Sequence, residues 1–127
     1  MRLSVVIAAR NAAEEIESCL AALAPQMNNE VEVVVAEASS DGTAQVVRRV
    51  APWARVVTCC LSMGMGELRA AGLATSNGDV VAFTDPCCRP AVDWIARLHG
   101  ESWDRYAAVG GVVDCVPARN LVNWAAF

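Results

Sequence analysis

An α/β fold, with a mainly parallel sheet in a three-layer α/β/α arrangement, is what this sequence predicts. Three observations carry that expectation. Short valine-rich runs alternate with amphipathic stretches along the chain, which implies successive β–α–β units. The runs are nearly continuous in apolar residues, the pattern of strands covered on both faces. Three of them end in polar loops, at 9–11, 37–43 and 85–89, and right-handed crossovers bring such loops to one edge of the sheet.

The first strand is Leu3–Ala8, and Ala9-Arg10-Asn11 breaks it. Asn11, with Glu14 three residues on, reads as a capping box opening a helix. Ile16, Leu20 and Leu23 form the apolar stripe of that helix, and Pro25 ends it. The second strand, Val31–Ala36, runs into the polar loop Glu37-Ala38-Ser39-Ser40-Asp41-Gly42-Thr43. A helix over Thr43–Val50 follows, and Pro52 stops it. Arg55–Cys59 reads as the third strand, Ser62–Gly66 as a flexible loop, and Glu67–Thr75 as an alanine-rich helix. Val80–Thr84 is the fourth strand; it delivers Asp85 at its carboxyl end, where Pro86 forces a turn. The next helix covers Val92–His99. Tyr106–Val113 is apolar around Gly110-Gly111 and reads as a kinked strand, and Leu121–Phe127 as the start of an apolar helix at which the chain stops. That ending predicts a piece of a longer protein, with oligomerisation through the apolar terminus as a further expectation.

Composition narrows the choice of function. The 127 residues, 55% of them hydrophobic, suffice for one domain, 1–127, with a real core. The net charge is -4 and all ten basic residues are dispersed arginines, which speaks against a nucleic-acid groove. Lysine is absent, so Schiff-base chemistry and a P-loop lysine are excluded. The single histidine, His99, has no second histidine to share a metal with. Six cysteines include two vicinal pairs but no Cys-x-x-Cys, so reduced, mostly buried thiols are expected rather than a zinc site or a disulfide framework. No apolar run reaches the roughly 18–20 residues of a membrane span, and the amino terminus does not read as a secretory signal. The expected location is the cytoplasm.

In an open α/β sheet, ligands gather beyond the carboxyl ends of the strands, where helix N-termini also attract anions. That edge suits a nucleotide or a phosphorylated small molecule. No Gly-x-Gly-x-x-Gly follows the first strand, so a dinucleotide site is not expected. Asp85, rigidly held at a strand end, is the first candidate ligand-binding residue.

Ser4-Val5-Val6-Ile7-Ala8-Ala9-Arg10-Asn11, Ala36-Glu37-Ala38-Ser39-Ser40-Asp41-Gly42-Thr43, Arg69-Ala70-Ala71-Gly72-Leu73 and Gly78–Asp85, in that order, resemble family 2 glycosyltransferases of the Rossmann-like GT-A fold. The resemblance covers roughly residues 3–115. It implies transfer of a sugar, with inversion, from a nucleotide-diphosphate donor to an acceptor hydroxyl. It assigns donor-binding positions to Ala8 and Arg10 in the first motif, Glu37 and Asp41 in the acidic loop, Arg69 near the donor phosphates, and Asp85. In the family's Asp-x-Asp motif the carboxylates hold ribose and a divalent metal, magnesium or manganese, so Asp85 is also the implied metal ligand. A lipid-linked or polysaccharide acceptor fits the resemblance, which leaves a place at the membrane periphery open.

Two departures stand against the family pattern. Cys87 occupies the position of the second aspartate, and a thiol is a poor ligand for a hard cation. Ala36 occupies the position of the aspartate after the second strand, leaving Glu37 one step later and, in strict alternation, on the other face. Asp114 is the one carboxylate of the final segment that could serve as a base. The alternative to a transferase is a nucleotide-sugar-binding or interaction module with a degenerate metal site.

Overall fold

The computed structural model describes residues 1–114, which form four strands and four α-helices in strict alternation. These are β1 (Leu3–Ala9), α1 (Ile16–Leu23), β2 (Val31–Glu37), α2 (Thr43–Val50), β3 (Arg55–Thr58), α3 (Met65–Thr75), β4 (Val80–Thr84) and α4 (Trp94–His99). A short 3-10 turn, Ala24–Gln26, follows α1 and carries Pro25 in its first turn, where a missing amide costs nothing. The sheet order is β3-β2-β1-β4 and every pairing is parallel. The predicted parallel α/β sheet is therefore the observed one.

Burial follows from that order. β1 is central and every one of its residues is buried, whereas the outer strands β3 and β4 are only partly covered. Alternate residues separate the two faces. Leu3, Val5, Ile7, Val33 and Val35 pack with Ile16, Cys19, Leu20 and Leu23 of α1, Val47 of α2 and Ile95 of α4. The four α1 residues recur at helical spacing and give that helix one apolar stripe. On the opposite face Ala8 and Ala36 pack with Leu68 of α3. Three layers result, with α3 alone on its side among the described helices.

The amino edge of the sheet is braced by one carboxylate. Glu32 of β2 accepts from Ser4 Oγ, from the Asn77 backbone and side-chain amides, and from Arg55 at 2.7 Å. Ser4 Oγ also accepts from the Gly78 amide at 2.8 Å. Gly78 is required there, because a Cβ would come within 2.6 Å of the Ser4 backbone nitrogen. Desolvation pushes the Glu32 carboxyl up, but its hydrogen bonds and Arg55 outweigh that and bring it down to about 2.

Several expectations need correcting. The Asn11 capping box does not form: α1 begins at Ile16 and no side chain caps it. Asn11 instead takes a left-handed backbone, φ 49°, a conformation asparagine tolerates, and turns the chain out of β1. α3 starts at Met65, two residues before the expected Glu67, while β3 ends at Thr58 and α4 starts at Trp94. Tyr106–Val113 is not a strand: those residues are exposed and irregular, because an apolar run needs a partner strand to complete its hydrogen bonds. The expected helix at Leu121–Phe127, and oligomerisation through it, fall outside the described residues. No helix among the described residues is long and apolar enough to cross a membrane.

Candidate functional site

The chain leaves β1 to build in opposite directions, through α1 to β2 and, later, through α3 to β4. The crevice between the carboxyl ends of β1 and β4 is thus the topological switch point of the sheet. Asp85 follows β4 directly. Its carbonyl accepts from the Cys88 amide at 3.0 Å, closing a turn with Pro86 in the second position. Its carboxylate meets Arg69, one turn before Gly72 on α3, with Nη2 to Oδ1 at 2.9 Å. Both side chains remain almost half exposed, 43% for Arg69 and 45% for Asp85. The Arg69 side chain makes no other hydrogen bond among the described residues, so its remaining N–H donors are uncommitted.

Arg10 leaves the end of β1 and donates from Nη1 to the Leu61 carbonyl at 2.9 Å. Leu61 lies beyond β3, so the arginine reaches across the end of β2. It remains exposed.

Between these charged groups, the two loops after β1 and β2 are clasped together. The Asn11 amide donates to Ser39 Oγ at 2.9 Å, and Asn11 Oδ1 accepts from the Ser40 amide at 2.9 Å. The Ala12 amide donates to Thr43 Oγ1 at 3.0 Å and the Ala13 amide to Asp41 Oδ2 at 3.2 Å. The other Asp41 oxygen accepts from the Thr43 hydroxyl at 2.6 Å and the Thr43 amide at 3.1 Å. The hydroxyl bond from Thr43 leads the interactions that hold the Asp41 carboxyl below its ordinary value. Gly42, φ 86°, gives the loop its left-handed turn before α2.

The predicted donor residues therefore separate into two groups. The structure joins Arg69 to Asp85 and leaves Arg10 open at the same edge. Ala8 is fully buried with Ala36 and Leu68. Asp41 braces the clasp. Glu37 is not a loop residue: it ends β2, is 2% exposed, and accepts from Thr58 Oγ1 at 2.7 Å. The single-step offset from Ala36 turns it to the face opposite α3, where β3 offers a hydroxyl at its paired position. Asn11, Ser39, Ser40 and Thr43 were missed as connectors. The signal available was an asparagine at a strand exit, facing a loop rich in short hydroxyl side chains.

Three thiols gather near Asp85. Cys19 of α1 is buried, and burial first, then the neighbouring Cys88, Cys87 and Asp85, pushes its thiol up to about 12. Burial and Cys88 also raise Cys87. A magnesium or manganese ion needs several oxygen ligands. Asp85 is already bonded to a guanidinium, protonated sulfur stands at Cys87 where a second strand-end carboxylate would be required, and the other carboxylate near Cys87 is the exposed Glu15 of the loop before α1. The donor set does not fit a hard divalent cation, and no cluster of three or more His, Cys, Asp or Glu placed to hold a metal occurs among the described residues.

Comparison with known proteins agrees with this architecture. The profile of glycosyl transferase family 2 matches residues 4–126. Glycosyltransferase AglE of Haloferax volcanii is 31% identical over 122 residues, which cover 88% of this chain and 39% of that protein. The crystal structure of S. aureus TarS 1-349 matches with TM-score 0.69 and 26% identity, over 79% of this chain and 32% of TarS 1-349. The same TarS fragment has been solved in complex with UDP. Glucosyl-3-phosphoglycerate synthase from Mycobacterium tuberculosis, in complex with Mn2+, UDP and glucosyl-3-phosphoglycerate, gives TM-score 0.67 and 29% identity. That match covers 78% of this chain and 38% of the synthase. The chain spans less than half the length of each of these relatives. A family match from residue 4 to 126, on the parallel sheet that these GT-A neighbours share, shows that the chain belongs to glycosyl transferase family 2.

Proposed function

We propose that this chain is the donor-binding portion of a glycosyltransferase, taking a nucleotide-diphosphate sugar at the carboxyl edge of β1 and β4. The observation that carries the reading is the Arg69–Asp85 pair at the switch point, with a cation and a carboxylate both half open to solvent. A nucleotide-diphosphate sugar needs both: anionic oxygens seek the guanidinium fork, and ribose hydroxyls seek a carboxylate acceptor. The UDP held by TarS and by the synthase supports the same ligand class. Arg10 is a further donor contact in this reading. The reaction is transfer to an acceptor hydroxyl with inversion at the sugar carbon, with the acceptor held by the remainder of a longer protein.

Thermal unfolding of the chain against UDP, GDP, CDP and ADP tests donor binding. A nucleotide that binds only the folded state adds about 2.7 kcal/mol at 100 times its dissociation constant. Absence of any shift with all four would refute the reading.

A further inference from the structure

We infer that donor binding at this edge requires no divalent cation, the counter-charge to the diphosphate resting on the phosphate-side Arg69 already assigned, which Asp85 orients. This inference rests on the donor-binding reading above and specifies how that edge handles charge.

Arg69 meets Asp85 through one nitrogen only, Nη2 to Oδ1 at 2.9 Å. A guanidinium is planar, so one such bond fixes the fork while its other N–H groups stay free for an anion. Asp85 is itself fixed by the turn that the Cys88 amide closes on its carbonyl. α3 is held close to the sheet by Gly72, whose missing side chain admits Val6 of β1. Arg69 is thus anchored at both ends, by its helix and by its partner. Asp85 keeps its Oδ2 free, so this edge offers at most one carboxylate from the strand end, already facing a guanidinium. Cys87 and Cys88, where further oxygen ligands would have to stand, offer sulfur. The charge that this edge can present to a diphosphate is therefore a guanidinium.

Calorimetric titration of the full chain with UDP, in EDTA and in manganese, tests this, with GDP, CDP and ADP as further probes. The expected result is the same affinity in both buffers. Arg69→Gln should weaken binding in EDTA at least about tenfold, the weight of one charge-assisted hydrogen bond, and Arg69→Lys should recover part of the loss. Thermal unfolding of each variant without ligand separates a lost contact from a lost fold. Cys87→Asp should create manganese dependence where the parent has none. Binding by the parent only in manganese, or unchanged affinity in folded Arg69→Gln, would overturn the inference while leaving the donor reading intact. Failure of every nucleotide in both buffers would overturn the donor reading and this inference with it.

Discussion

Gly72→Ala tests how α3 is held against the sheet. A Cβ at position 72 would fall well inside contact distance of Val6 Cγ1, and 3.6 Å from the Ala36 side chain. Val6 is fully buried in the central strand and β-branched, so it has neither room nor spare rotamers to withdraw into. Overpacking of this kind costs about 1–3 kcal/mol. Replacing glycine by alanine inside a helix returns about 1 kcal/mol of propensity. Packing outweighs propensity, and the expected net loss is about 1 kcal/mol, a fall in Tm of about 4 °C. Val6→Ala removes the obstructing methyl groups and should reverse the sign. In that background Gly72→Ala fills a hole and keeps its helical gain, so it should stabilise, with a coupling of about 1–2 kcal/mol between the two positions. Urea unfolding of the four proteins in this cycle measures both effects. A Gly72→Ala chain as stable as the parent, or the same change in both backgrounds, would refute the packing account. The change also bears on the site, since Arg69 lies three residues away on the same helix and its bond to Asp85 depends on where α3 sits.

Two further outcomes follow from ionisation and exposure. The Glu32 carboxyl sits at about 2 against an ordinary 4.5, so its folded value is depressed and its stabilisation is complete above 4.5. That contribution should fade as pH falls from 4.5 through 2, and Glu32→Gln should flatten this part of the acid-unfolding curve; an unchanged slope would exclude the brace. Among the thiols, Cys60 is exposed and lowered by its hydrogen bond to Ser62, whereas Cys19 is buried and raised to about 12. Iodoacetamide labelling followed by mass spectrometry should modify Cys60 first and Cys19 only on unfolding, and equal rates would contradict the packing of α1 on the sheet.

The strands were legible because their residues leave little choice. Leu3-Ser4-Val5-Val6-Ile7-Ala8 and Val31–Ala36 are too apolar for anything but a doubly covered sheet, and the structure adds one residue to each. Asp85 and Arg69 were legible one at a time, as a strand-end carboxylate and a helix arginine. Their direct pairing depends on the height of α3 over β1, which the Gly72 contact sets and no local pattern encodes. Glu37 was misplaced for a similar reason. A carboxylate beside a serine-rich loop reads as part of that loop, and only the parallel register to β3 shows that Thr58 stands ready to receive it. Asn11 carried a real capping signal, since its side chain does satisfy an amide. The amide belongs to Ser40 in the neighbouring loop, twenty-nine residues on, rather than to its own helix.

The two edges of the sheet use ion pairs differently, and the difference bears on function. At the amino edge Glu32 is 15% exposed and ties Arg55, Ser4 and Asn77 together, so opening that cluster would strand a largely buried charge. At the carboxyl edge Arg69 and Asp85 are almost half exposed, and exposed pairs of this kind contribute about 0–1 kcal/mol. A pair worth so little to the fold can offer its free N–H groups and its second carboxylate oxygen to a ligand without destabilising the sheet around it. The loops on either side do not share that freedom, because Asn11, Ser39, Ser40, Asp41 and Thr43 spend their polar groups on one another. Stiff loops beside a weakly committed charge pair are what an anion-binding crevice needs, since the ordering cost falls on the scaffold before the ligand arrives. The carboxyl edge is thus the part of this chain where binding energy can be collected at least expense to stability.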